Sequence, residues 1–173
     1  MAAQNRNCKV KRLALMGLLF ALAMALSFLE SLLPALPMLP PGIRLGLSNI
    51  VTMYALFVLG PVSGYTIAVL KSLFVLLTRG AVAAMSASGG IASVTVMLLL
   101  SLLPGIRRQY LLLSVFGGAA HNVGQLIAAR FIISNQYVWY YLPVLLAAGL
   151  LMGAITGMAL RVVMPYLDRL SLK

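Results

Sequence analysis

Few residues of this sequence could do chemistry, and most of those stand inside long apolar runs. The densest set is Gly117-Gly118-Ala119-Ala120-His121-Asn122-Val123-Gly124-Gln125. At helical spacing His121 and Gln125 share a face, i to i+4, while Gly117 and Gly124 let a second helix come close. An imidazole and an amide on one face can bind a ligand by hydrogen bonds, or they can tie two helices together; the sequence leaves both open. Lys71 is the second candidate. It lies in the middle of the apolar stretch from Pro61 to Thr78, roughly 12–15 Å from either end at about 1.5 Å per residue. An ammonium at that depth costs at least about 2.5–3.5 kcal/mol against hydrocarbon, so it needs a cavity, a partner or a ligand. An anionic ligand group, a neutral amine, or hydrogen bonds to helix carbonyls would each answer that need. No counter-ion within the chain is expected, because Glu30 is predicted near one membrane surface and Asp168 beyond the last span.

Most catalytic chemistry is excluded by residue type. Nucleophilic catalysis needs a base and an orienting carboxylate beside the nucleophile, and His121 has no acidic residue in its own span. No glycine-rich loop ending in Lys-Ser or Lys-Thr is present, so the chain is not expected to hydrolyse ATP. Cys8 is the single cysteine, which rules out intrachain disulfides, cysteine-rich zinc sites and cysteine-ligated clusters. No metal and no cofactor is implied.

The elements that must position these residues follow from composition. Of 173 residues 62% are hydrophobic and only 9% charged, with a mean hydropathy of +1.05, far more apolar surface than a water-soluble fold could hide. The formal charge of +11, from 13 Lys and Arg against two acidic residues, would suggest nucleic acid in a soluble protein. Here the basic residues sit between apolar runs, as the positive-inside bias of a multi-pass membrane protein requires, and nucleic acid is not an expected partner. A bilayer core about 30 Å thick needs roughly 20 helical residues. About six runs meet that length approximately, at 11–33, 44–59, 61–78, 86–103, 110–133 and 137–163. They predict an all-α integral membrane protein, with a basic N-terminus over 1–10, a bundle of about six helices over 11–163 and a tail over 164–173. The basic start followed by an apolar run resembles a secretory signal, yet the run continues to about Leu33 without an Ala-x-Ala type site, so it reads as a retained first span.

The second and third runs meet at Leu59-Gly60-Pro61, where Gly followed by Pro breaks a helix and predicts a tight hairpin. Pro34, Pro37, Pro40 and Pro41 forbid regular helix between the first two runs and predict a stiff cap on the membrane face. Placing both termini in the cytoplasm assigns Arg6, Lys9, Lys11, Arg12, Arg107, Arg108, Arg161, Arg169 and Lys173 to that side, with Arg44, Arg79 and Arg130 at the outer ends. Tyr137, Trp139, Tyr140 and Tyr141 then form an interfacial aromatic belt outside. In this arrangement Ser48, Asn49, Ser86, Ser88 and the three outer arginines share the outward half with His121 and Lys71. That is the pattern of a mainly apolar pocket with a few convergent polar groups, roofed by the proline-rich loop. The expected ligand-binding residues are therefore Lys71, His121, Asn122, Gln125 and Asn49, with Arg44, Arg79 and Arg130 attracting or capping an anionic group. Two stripes of small residues, Gly17, Ala21 and Ala25 in the first span and Gly149, Gly153 and Gly157 in the last, make flat faces suited to packing within the chain or to docking a partner.

Leu45-Gly46-Leu47-Ser48-Asn49-Ile50-Val51-Thr52, the Ser88-Gly89-Gly90 turn and Gly118-Ala119-Ala120-His121-Asn122-Val123-Gly124-Gln125 resemble a small bacterial membrane family known both as Gx transporter and as heptaprenyl diphosphate synthase component I. The resemblance covers about Leu13 to Val163. That family is similar to the S components of energy-coupling factor (ECF) transporters. The resemblance implies six spans, both termini in the cytoplasm, an outward-facing pocket under the first loop, and a small-residue stripe on the first helix that docks a transmembrane coupling subunit served by separate ATPases. The stripe carries over onto Gly17, Ala21 and Ala25, with Gly17 where the family has alanine; ligand residues do not carry over, because they vary with substrate.

Prenyl diphosphate condensation uses Asp-rich clusters to hold Mg²⁺, which takes oxygen ligands, and two acidic residues expected on opposite sides of the membrane cannot build one. The expected function is that of a non-enzymatic capture subunit in a bacterial cytoplasmic membrane, binding a phosphate- or carboxylate-bearing vitamin-like or isoprenoid-like molecule from outside. The competing expectations are a non-transporting assembly subunit of a flavin- or quinone-linked redox system, since some relatives accompany flavin-linked electron-transfer proteins, and an accessory component of polyprenyl diphosphate synthesis.

Overall fold

The computed structural model describes residues 2–32, 46–80, 82–106 and 109–169. The proline-rich cap over 34–42, and Arg44, Arg107 and Arg108, lie outside the described residues. All regular structure described is helical: α1 (Ala2–Leu32), α2 (Asn49–Leu59), α3 (Pro61–Arg79), α4 (Val82–Ser101), α5 (Tyr110–Ile133) and α6 (Leu142–Arg169), with a 3₁₀ segment, Gln136–Tyr141, leading into α6. Five of these helices are long and apolar enough to cross a membrane. Leucines and other large apolar side chains face outward along them, Leu77 being 86% exposed, as expected where the solvent is lipid tails.

The second element departs from its expected length. A span was expected over 44–59, but α2 begins only at Asn49 and has six residues of α-helix followed by five of π-helix, Ala55–Leu59. About 11 residues at 1.5 Å each cover only about 16 Å, roughly half a bilayer core. Its ends explain this. Gly46 takes a φ of +88° and turns the chain into the helix, with its carbonyl accepting from the Asn49 N–H at 2.9 Å; Gly60, at φ +97°, ends it. Pro61 then starts α3 at the position where a missing N–H costs nothing. The Arg12 guanidinium of α1 donates to the Leu59 carbonyl at 2.7 Å, placing a cation at the C-terminal end of α2.

Close packing by small residues builds the rest. A Cβ added to Gly118 would lie 2.4 Å from the Gly149 carbonyl oxygen, and one on Gly153 2.6 Å from that of Ser114, so α5 and α6 meet backbone to backbone. Gly124 and Gly89 do the same between α5 and α4, where the Ser88 hydroxyl donates to the Gly124 carbonyl at 2.5 Å. Lipid offers apolar contacts as good as those of leucine, so it is this close approach that holds such helices together. On the other side Leu19 and Ala23 of α1 pack with Val51, Ala55 and Ile67 of α2 and α3. The 3₁₀ segment exposes Tyr137, Trp139, Tyr140 and Tyr141, with Tyr137 stacked on Tyr140 at 6.0 Å, the amphipathic ring cluster expected at a membrane interface.

Candidate functional site

Because α2 starts halfway through the bundle, its N-terminus and the Gly46-Leu47-Ser48 turn stand in the interior beside the middle of α3. Lys71 meets them there. It is 2% exposed, and its ammonium donates to the Ser48 hydroxyl at 3.1 Å and to the Asn49 side-chain carbonyl at 3.0 Å. From α1, the inward stripe Leu19, Ala23, Ser27 and Glu30 is buried, and the Gly46 N–H donates to a Glu30 carboxylate oxygen. From α5, His121 and Gln125 face the same space, bonded to one another through their Nε2 atoms at 2.5 Å. His121 Nδ1 is buried and has no hydrogen-bond partner among the described residues. Gly89 of α4 is what lets His121 lie so close, since a Cβ there would meet the imidazole Cε1 at 2.9 Å.

These groups surround one cavity, lined by Ser27, Glu30, Gly46, Ser48, Lys71, Val82, Ser86, His121 and Gln125. It measures about 280 Å³ out to its mouth but is narrow, with space at its widest for about one water molecule. The expectation about Glu30 is corrected here. It was expected at a membrane surface with Lys71 lacking any acidic neighbour in the chain, yet both line the same cavity. The reason is helical register: Leu19, Ala23, Ser27 and Glu30 recur every three or four residues, so one face of α1 carries the carboxylate inward against α3. Sequence reading missed Ser27 and Glu30 as site residues; their spacing with two buried apolar residues was the available signal.

The other expected site residues divide. Asn49 holds Lys71 and lines a second cavity. Asn122 turns away from the first cavity: its amide donates to the Leu145 carbonyl of α6 at 2.7 Å, and its Oδ1 has no partner among the described residues. Adjacent residues on a helix point about 100° apart, so His121 and Asn122 cannot serve one pocket equally. Arg79, exposed, and Arg130, half-buried, stand at the ends of α3 and α5 nearest the cavity but line neither cavity; Arg44 is outside the described residues. Of the two small-residue stripes, Gly17, Ala21 and Ala25 are exposed, with nothing within 4 Å of a Cβ on Gly17. Gly149, Gly153 and Gly157 press on the backbone of α5.

The second cavity, also about 280 Å³ and equally narrow, is lined by Asn49, Met53, Ser93, Met97, Ser114, Met152 and Thr156 together with Gly46, Gly117, Gly118 and Gly153. Gly46 lines both cavities. Among the described residues, no group of three or more His, Cys, Asp or Glu side chains could hold a metal ion.

A sequence model of the heptaprenyl diphosphate synthase component I family matches residues 19–163, and the chain belongs to that family. No curated protein matches the sequence. Among solved structures, the S component of a bacterial ECF transporter superposes with a TM-score of 0.64 at 20% identity, over 93% of this chain and 95% of that one. At that identity the likeness establishes a shared fold.

Proposed function

Starting from a member of this family that has the fold of an ECF S component, we propose that the protein is a non-enzymatic substrate-capture subunit of a bacterial cytoplasmic membrane. It takes a small molecule into the cavity around Lys71 and hands it to a partner for uptake. One observation carries this reading: Lys71, Glu30, His121 and Gln125, from α3, α1 and α5, turn inward on one buried cavity. Holding ionisable groups in the low-dielectric interior is costly and is retained where they serve a substrate. In the proposed complex Lys71 pairs with an anionic or strongly accepting group, Glu30 accepts from a donor on the same molecule, and His121 and Gln125 orient it. Asn49 holds Lys71 in position, while Asn122 steadies α6 behind them. Arg44, Arg79 and Arg130 draw anions to the mouth. Both termini are cytoplasmic, and the mouth opens outward.

The exposed stripe Gly17, Ala21 and Ala25 docks a transmembrane coupling subunit, and separate ATPases supply the energy. We infer no prenyl transfer, since a cluster of Mg²⁺ ions needs several oxygen ligands and this chain has two acidic residues in all. Native mass spectrometry of gently purified protein tests the reading. A stoichiometric metabolite lost in the Lys71→Met and His121→Ala variants is the expected result. A ligand-free protein inseparable from a redox partner or a prenyl synthase subunit would replace capture with an assembly role.

A further inference from the structure

The two cavities are neighbours that share part of a wall. Gly46 lines both, and Asn49, whose carbonyl holds Lys71 in the first, lines the second. On α4 the lining runs from Val82 to Met97 and on α5 from Gln125 back to Ser114, steps of fifteen and eleven residues, so together the cavities extend about 16–22 Å along the bundle. Their chemistry differs along that length. The first holds a carboxylate, an ammonium and an imidazole; the second has no ionisable lining residue.

What the second cavity does have is three hydroxyls on three helices. Ser93, Ser114 and Thr156 are 2%, 4% and 7% exposed, and none of them makes a hydrogen bond to another described residue. A serine or threonine that only packs in a membrane helix commonly donates to a carbonyl one turn back, as Ser72 does to Ala68 at 2.8 Å and Thr95 to Ile91 at 2.8 Å. Three that make no such bond among the described residues, all on one hollow, can offer donors and acceptors to a ligand. Met53, Met97 and Met152 complete the wall. Thioethers make favourable contacts with ring edges, and their unbranched chains swing aside easily, which suits a cavity that must widen on binding.

We infer that the second cavity is the other half of an elongated binding site, and that it receives an uncharged ring edged with nitrogen or oxygen atoms, joined to the charged group held at Lys71. A charge in the second cavity would be buried unpaired, and a plain hydrocarbon would leave three hydroxyls unsatisfied. The inference rests on the capture reading above and adds the size and two-part character of the ligand.

The test uses 4-methylumbelliferyl phosphate, a phosphate on a neutral oxygen-edged ring, against inorganic phosphate, with full-length protein in nanodiscs and calorimetric titration. The ring-bearing probe is expected to bind at least about tenfold tighter than phosphate. Combining Ser93→Ala with Thr156→Val, which removes hydroxyls without adding bulk, should remove about that tenfold and leave phosphate affinity unchanged; Lys71→Met should weaken both probes. Ser114→Ala alone, with an unchanged melting curve, provides the same readout should the double variant fold poorly. Equal affinity for the two probes, or a ring-bearing probe indifferent to the hydroxyl changes, overturns the inference while leaving capture at Lys71 standing. Binding of neither probe overturns the two-part site as well, and capture then stands or falls on the co-purified metabolite.

Discussion

Two helices carry the same pattern, a small residue every fourth position, and use it differently. On α6, Gly149, Gly153 and Gly157 lie against the backbone of α5, at distances where no side chain fits. On α1, Gly17, Ala21 and Ala25 face out of the bundle and touch nothing at Gly17. The neighbours of each stripe account for the difference. Leu19, Ala23, Ser27 and Glu30 claim the opposite face of α1 for the core, which turns its small residues outward. A small-residue stripe thus shows only that something can come close; which helix face the core takes decides whether that something is the same chain.

Substitutions along these faces and inside the bundle should separate the two uses, and the size of the expected effect falls from the first to the last. Gly153→Leu would drive a side chain into the Ser114 carbonyl and Val115 Cα, at 2.6 and 2.7 Å. Since overpacking against movable side chains already costs about 1–3 kcal/mol, and backbone cannot yield, no monodisperse protein should survive size-exclusion chromatography. Gly46→Ala comes next. At φ +88°, with the Asn49 amide nitrogen 2.8 Å from the new Cβ, it should cost about 1–2 kcal/mol, lower the melting temperature and detach Lys71 from α2, which a drop in ligand affinity would report.

Lys71→Met sharpens the comparison from the inside of the bundle. A residue kept for packing should lose stability when altered, whereas removing a mid-membrane charge that costs about 2.5–3.5 kcal/mol should leave the melting temperature unchanged or raised while ligand retention disappears. A lower melting temperature with ligand still bound would make Lys71 structural. Ala21→Leu should have the smallest effect on folding, within about 0.5 kcal/mol as for other outward positions. Ligand binding should persist, but cellular uptake should stop if the proposed docking face on α1 is the one blocked. If uptake continues in that variant, α1 is not where the partner sits.

Much of this is legible in the sequence. Apolar runs about 20 residues long, separated by basic and helix-breaking residues, specify membrane-spanning helices through the thickness of hydrocarbon alone. Gly60-Pro61 specifies the hairpin through what each residue does to the backbone. Lys71, His121 and Gln125 could be singled out because a polar group in an apolar run is costly whatever surrounds it. The short α2 was less legible, since the runs of hydrophobicity do not show where Gly46 turns the chain.

Tertiary structure decided the pairings. That Glu30 shares a cavity with Lys71, that Asn122 serves α6 while its neighbour His121 serves the site, and that one glycine stripe is buried and the other bare depend on how each helix is rotated about its axis. Composition and periodicity determine that a helix has two faces. Which face meets which neighbour is set by the close approach of several backbones at once, and that is a property of the packed bundle that no single span contains.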